Sequence, residues 1–250
     1  MLKEERHNFI LEELRTKNKV LTYSLSQVLS VSEDTIRRDL KELADLGQIK
    51  KVHGGAVAHS LNPFHYKDRE VYALEEKIAI AEKAKNLIQP QQVVFMDGGT
   101  TNLELVKRLP SDLKATIITN SIPVATHLTD HPLIEIVFLG GKVLKSAQVT
   151  IGAEVVSAIS NIRADKCILG TRSIHHQIGI SEIDWEETMV KRAMLAASNE
   201  VACLVIADKI GTSQPYIIAD IKQVSQMVTT LSRKNPILKP FIQAGVEIIS

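Results

Sequence analysis

Four places along this chain set small polar residues directly behind a short apolar run. Asp97-Gly98-Gly99-Thr100-Thr101 follows VVFM, Asn120-Ser121 follows TIIT, Gly140-Gly141 follows VFL, and Gly170-Thr171 follows CIL. Glycine lets the backbone approach a ligand closely, the first amides of a following helix are free to donate, and threonine hydroxyls add donors. A phosphate fits such a setting. None of these runs carries the GK[ST] ending of a P-loop, and no G-x-G-x-x-G follows an apolar run, so nucleoside triphosphates and dinucleotides are poorly matched. Glu187 and Lys191 stand four apart on a helical stretch, a spacing that serves a plain ion pair or an acid and a base working together.

A second chemistry sits near the N-terminus. In VSEDTIRRDLKEL, residues 31–43, Ile36, Leu40 and Leu43 share one helical face at about 100° per residue, and Asp34, Arg37, Arg38 and Lys41 fall broadly opposite. Asp39 lies at the margin of the apolar stripe and is expected to pair with a basic or amide group of its own domain. Arg37 and Arg38 have oppositely charged i,i+4 neighbours in Glu33, Asp34 and Glu42, and a merely solvated face would need nothing more.

The elements around this stretch favour nucleic acid. Ser32 is placed to cap a helix beginning near Glu33. A helical pattern from about Lys3 to Thr16 and a short helix at LSQVLS precede it across a tight turn, which is the form of a helix-turn-helix. Downstream, Gly47 stands where a C′ glycine would, and QIKKVHGGAVAH spells two short strands about a Gly-Gly turn, a wing. Lys50, Lys51 and His53 on that hairpin suit phosphate contacts beside a groove.

From Glu75 onward, helical and strand patterns alternate to the end of the chain. Short apolar strands bounded by helices indicate a mostly parallel sheet covered on both faces, whose ligands bind outside the strands' carboxyl ends. The expected fold class is therefore α/β, with a small winged helix-turn-helix domain over 1–58, a linker over 59–74 and a larger α/β domain over 75–250. The linker has neither a 2- nor a 3.6-residue period and carries Pro63; His65 and Arg69 within it could serve function.

Composition narrows the setting. At 250 residues and 44% hydrophobic, the chain can bury the cores of two domains. The net charge of +1 says little about DNA binding, because one small surface makes the contacts. Cys167 and Cys203 sit in apolar runs without metal-ligand spacing and are expected as buried thiols. No apolar run approaches the length of a membrane span and the start, MLKEERHNF, is too charged for a signal peptide, so a cytoplasmic protein without membrane contact is expected. No cofactor and no metal are called for.

The motifs together resemble the DeoR-type bacterial transcriptional regulators. Arg6, Ile10, Leu14, Ser32, Thr35-Ile36-Arg37-Arg38-Asp39-Leu40 and His53-Gly54-Gly55-Ala56 carry the resemblance in the first domain. In the second it rests on Asp97 to Thr101, Thr119-Asn120-Ser121, Gly140-Gly141, Ile151-Gly152, and Glu187 with Lys191. The resemblance implies that residues 33–45 are a recognition helix, with Thr35, Arg37 and Arg38 meeting DNA and Lys41, Lys50, Lys51 and His53 adding positive charge. It implies a sensor domain similar to ribose-phosphate isomerases that takes a phosphorylated sugar at Asp97, Gly98, Gly99, Thr100, Thr101, Asn120, Ser121, Gly140, Gly141, Gly170, Glu187 and Lys191. Two departures stand out. Ala207-Asp208-Lys209-Ile210-Gly211 is shorter by two than the family's Ala-Asp, two small polar residues and Lys, so Lys209 is expected to sit differently. Ser173 replaces a second glycine, and His175 and His176 after it are expected as exposed loop residues.

Two functions from different classes follow. The first is a repressor, a homo-oligomer holding paired helices on a double-stranded operator under the control of a sugar phosphate. The alternative is a sugar-phosphate isomerase-type enzyme with an accessory DNA-binding domain, using Glu187 and Lys191 as acid and base. The complete helix-turn-helix and wing favours the first, since an isomerase has no need of it.

Overall fold

The computed structural model describes residues 2–17, 19–45, 49–52, 54–58 and 65–250, with the side chains at 15, 16, 50, 57 and 58 left aside. By internal contacts the chain divides into two compact units, residues 1–61 with 211–213 and residues 62–210 with 214–250.

In the first unit, α1 (Lys3–Lys17), β1 (Lys19–Leu21), α2 (Thr22–Leu29), α3 (Glu33–Asp45), β2 (Ile49–Val52) and β3 (Gly55–Ala58) follow in order. Ile10, Leu14, Leu25, Leu29, Ile36, Leu40, Leu43 and Ile49 are all buried and form one core. The apolar stripe of α3 is thus what seats it, as its spacing requires. Ser30 ends α2 in the left-handed region, with φ 52°. Ser32 Oγ then accepts from Thr35 N at 3.2 Å and caps α3. The wing pairs Val52 with Gly55 across its turn. β1, which no alternation announces in three residues, adds a third strand along β3. Gly55 has to be glycine there, because a Cβ would fall 2.0 Å from Val20 O.

The second unit begins with α4 (Tyr66–Val71) and α5 (Leu74–Ala84), then β4 (Val93–Met96), α6 (Thr100–Val106), β5 (Thr116–Thr119), α7 (Ile122–Leu128) and β6 (Glu135–Phe138). A hairpin of β7 (Lys142–Leu144) and β8 (Val149–Ile151) leads to α8 (Ala153–Ser160), β9 (Ala164–Gly170), β10 (Ser173–His175), β11 (Gly179–Glu182) and α9 (Trp185–Ala196). β12 (Ser198–Leu204), β13 (Tyr216–Ala219), β14 (Gln226–Val228), α10 (Lys239–Gln243) and β15 (Glu247–Ile249) complete it.

Seven strands form one sheet in the order β15-β14-β12-β9-β4-β5-β6, and every pairing in it is parallel. Successive side chains alternate between two cores: Phe95, Cys167 and Cys203 on one face, and Val94, Met96, Ile168 and Ala202 on the other. Both cysteines are free and buried, as their apolar runs imply. From β4 the chain runs outward through β5 and β6, then returns to place β9 on the other side of β4. The β4/β9 boundary is therefore the topological switch point, where a crevice opens at the carboxyl ends of such a sheet. No helix among the described residues is long and apolar enough to cross a membrane.

Candidate functional site

On α3 the charges are sorted by depth. Asp39 is buried and accepts from Arg6 Nε at 2.8 Å and Arg6 Nη2 at 3.0 Å, with His7 Nε2 3.3 Å away. Its expected role as a partner within its own domain is met by α1. Arg37, Arg38 and Lys41 are exposed, and Thr35 is half-buried. Arg37 donates to Asp34 Oδ1 at 2.9 Å and Glu33 Oε2 at 3.1 Å, whereas Arg38 has no ion-pair partner among the described residues. Lys51 is exposed on the wing. His53, the side chain of Lys50, and Gly47 lie outside the described residues.

In the second unit, a cleft of about 140 Å³ continues into a recess formed by Gly98, Gly99, Thr100 and Thr101 after β4 and by Gly170 and Thr171 at the end of β9. Its floor is a buried charge cluster. Lys191 Nζ donates to Glu182 Oε1 at 2.8 Å and to Gly170 O at 3.2 Å, and it lies 3.0 Å from Glu187 Oε1 and 3.3 Å from Asp97 Oδ2. Asp97 Oδ1 accepts from Asn102 Nδ2 and from Gly170 N, both at 2.6 Å. The side chain of Asp97 thereby ties β4 to β9 across the switch point. Gly170 itself is required: a Cβ there would meet Gly98 O at 2.8 Å.

Burial and charge set the protonation of this cluster. Burial pushes the Asp97 carboxyl up to about 7, although Lys191 and the Gly170 amide pull it back. Burial also raises Glu187. For Glu182 the same burial is outweighed by Lys191 and the carboxyl falls below its ordinary value. Lys191 resists burial because Glu182, Glu187 and Asp97 surround it, and its ammonium stays charged far above neutrality.

The wall above this floor is cationic. Arg69 of α4 lines both parts of the cleft, Arg172 the larger part and Lys209 the recess. Lys209 Nζ donates to Thr171 O at 2.6 Å. The residue is half-buried as a whole, but its ammonium is enclosed and is pushed down to about 7, first by burial and then by Arg69 and Arg172. Two buried polar atoms on this wall, Arg69 Nε and Thr171 Oγ1, have no hydrogen-bond partner among the described residues. An anion with several acceptor oxygens would satisfy such a wall.

The structure brings Gly98, Gly99, Thr100, Thr101, Gly170, Glu187 and Lys191 together at one cleft. Asp97 lies beneath them, only 1% exposed, as a brace and not as lining. Asn120, Ser121, Gly140 and Gly141 are not among the residues that line it. The β7–β8 hairpin closes over the end of β5: Asn120 Nδ2 donates to Thr150 O at 2.8 Å, Thr150 N to Asn120 O at 2.8 Å, and Ser121 bridges Val149. Ser121 also caps α7, its Oγ accepting from Val124 N at 3.4 Å. Gly140 and Gly141 are exposed beside that hairpin. The expectation for the histidines needs correction, because His175 is buried within β10 and only His176 is partly exposed; their rings stack at 4.5 Å. Despite its shortened segment, Lys209 reaches the cleft. Arg172 and Glu182 were missed altogether, because β10 and β11 beside them are too short to show an alternation that would have placed them.

Comparison with known proteins places both units. The DeoR-like helix-turn-helix domain matches residues 6–61 and the DeoR C terminal sensor domain matches residues 73–230. The chain is 32% identical to the HTH-type transcriptional regulator GolR of Listeria innocua, over 98% of this chain and 97% of that protein. It is 34% identical to the glycerol-3-phosphate regulon repressor of Escherichia coli, over 92% of this chain and 91% of that protein. Among solved structures, ribose 5 phosphate isomerase A of Neisseria gonorrhoeae aligns with a TM-score of 0.40 and 15% identity, over 59% of this chain and 55% of that one.

Proposed function

Because the chain belongs to the DeoR family of helix-turn-helix transcriptional regulators, we propose that it represses genes of sugar metabolism and that a phosphorylated sugar in the strand-end cleft sets its hold on DNA. The observation that carries this reading is the sorting of charge on α3, where Asp39 is turned inward onto Arg6 while Arg37, Arg38 and Lys41 are left exposed. Turning Asp39 inward leaves Arg37, Arg38 and Lys41 on the face that a helix-turn-helix lays against a groove. Thr35, Arg37 and Arg38 meet base edges or the adjoining phosphates, and Lys41 with the wing residues Lys50, Lys51 and His53 meets the backbone. Two copies present paired helices to half-sites, and a cytoplasmic homo-oligomer is the form this requires.

In the cleft, the amides around Gly99 and Thr100, the hydroxyls of Thr100 and Thr101 and the Lys209 ammonium take the phosphate. Glu182 and Glu187 lie on the same cleft and accept from sugar hydroxyls, since carboxylates repel a phosphate. The name of the E. coli relative, with its phosphorylated polyol, supports this ligand class. Control then requires the ligand to bind the DNA-competent and DNA-incompetent states with different affinity. A thermal-shift series tests the site: phosphorylated sugars should raise the melting temperature and their unphosphorylated parents should not. Calorimetry on Thr100→Val should show weaker binding of the active compound, and an unchanged dissociation constant would move the site elsewhere.

One observation favours the enzyme reading, the buried grouping of Glu187 and Lys191 on the cleft floor. Proton transfer near neutrality asks for a group that can give and take a proton there. Lys191, held by three carboxylates, is fixed in its charged form and so does not serve as the base of such a pair. Solvent deuterium entering a bound sugar phosphate, and failing to do so in Glu187→Gln, would make the enzyme reading the leading one.

A further inference from the structure

We propose that Arg69 is a ligand-binding residue of the cleft, and that an anion bound there firms α4, the short helix that carries it. This rests on the cleft being the sugar-phosphate site.

A helix of six residues does not hold itself together in water, so α4 depends on what it is fastened to. Its fastenings surround the cleft. Tyr66 is 2% exposed and its N–H donates to Ser146 O at 2.9 Å. Arg69 Nη2 donates to the same carbonyl at 3.3 Å. Tyr72 Oη donates to Asp208, the neighbour of Lys209, and the buried Lys77 ammonium donates to the carbonyls of Arg69 and Tyr72. Lys77 is thus a positioning residue for Arg69: it gathers the carbonyl end of α4 as a cation should at a helix C-terminus.

The fastening is electrostatically incomplete. Arg69 lines both parts of the cleft, its Nε is buried without a partner among the described residues, and its charge works against those of Lys209 and Lys77. An anion between Arg69 and Lys209 satisfies that nitrogen and relieves the repulsion, so it seats α4 more firmly.

Hydrogen–deuterium exchange on the full chain with inorganic phosphate, and separately with glucose 6-phosphate, tests this. The expected result is slower exchange at residues 98–101 and also at 66–72. In Arg69→Gln, protection at 98–101 should persist at a ligand concentration about tenfold or more higher, with protection at 66–72 lost. Protection at 98–101 alone in the natural chain would overturn the role of α4 while leaving the site intact. Protection at neither segment, at saturating concentrations of both probes, would overturn the site and this inference together. The natural chain decides between these outcomes even if the variant does not fold.

Discussion

Asp39 on α3 and Arg6 on α1 meet through two hydrogen bonds of 2.8 and 3.0 Å, so the helix that presents Arg37 and Arg38 is held at its inner edge by a forked ion pair. Asp39→Ala leaves the guanidinium behind without its carboxylate. Because Arg6 retains some access to water, the cost should be about 2 kcal/mol, below that of breaking a fully buried pair. Amide exchange in α1 and α3 should quicken by about thirtyfold; unchanged exchange would show the pair to be idle.

The same pair gives a pH dependence. Burial alone would raise the Asp39 carboxyl, but Arg6 and then His7 outweigh it and hold the group below its ordinary value. Its contribution to stability is therefore complete above the unfolded carboxyl's pKa of about 3.9 and is lost as the pH falls through the lower folded value. Acid unfolding of Asp39→Asn should lack that component.

Arg37 and Arg38 are not equivalent. Arg37 has to give up Glu33 and Asp34 to meet DNA, whereas Arg38 has no such pair among the described residues. Arg38→Ala should weaken operator binding about tenfold or more, and Arg37→Ala by less, with neither changing the melting temperature. Fluorescence anisotropy at fixed salt ranks them; the opposite order would contradict the assignment.

How much of this could be read from the sequence follows from how local each signal is. The stripe Ile36, Leu40, Leu43 and the margin position of Asp39 are properties of one helix, and they hold. The glycine and threonine run at 98–101 marks its own strand end, and Gly170 marks the next. Asn120-Ser121 had the same local form but a different fate, because β7 and β8, strands of three residues each, fold back over that end. Such short strands leave no legible alternation, and β10 hid His175 in the same way. Arg69 lay in a stretch with no period, so only the packing of α4 against Ser146 could reveal its place.

Lys209 should make ligand binding depend on pH. Its ammonium is pushed down to about 7 by burial and its arginine neighbours, against about 10.4 in an unfolded chain. Between those values the unfolded chain holds a proton that the folded one does not, so stability contributed by this group rises with pH across that window. Phosphate calls for the charged form. Affinity for a sugar phosphate should fall as the pH rises above about 7, by which point the phosphate's own ionisation near pH 6 is largely complete, and Lys209→Met should bind weakly without that slope. Calorimetry that finds a flat profile in the natural chain would refute the contact.

Lys191→Met tests the floor. It leaves Asp97, Glu182 and Glu187 buried without their cation, which should cost about 3–5 kcal/mol at neutral pH. Each carboxyl would then be raised, so the loss should shrink as the pH falls and they take up protons. Thermal unfolding at pH 7 and pH 5 reads this; equal loss at both would argue against a charge-held floor.

If a metabolite controls DNA binding, one operator titration reads the coupling. An operator selected from a random library by the full chain is titrated with protein, with and without each of a panel of sugar phosphates and their unphosphorylated parents, at one salt concentration. At least one phosphorylated sugar should shift operator affinity about tenfold or more, its parent sugar should not, and Thr100→Val should bind the operator normally while responding weakly. Tight operator binding that no phosphorylated sugar alters, or an equal response to the parent sugar, would contradict it.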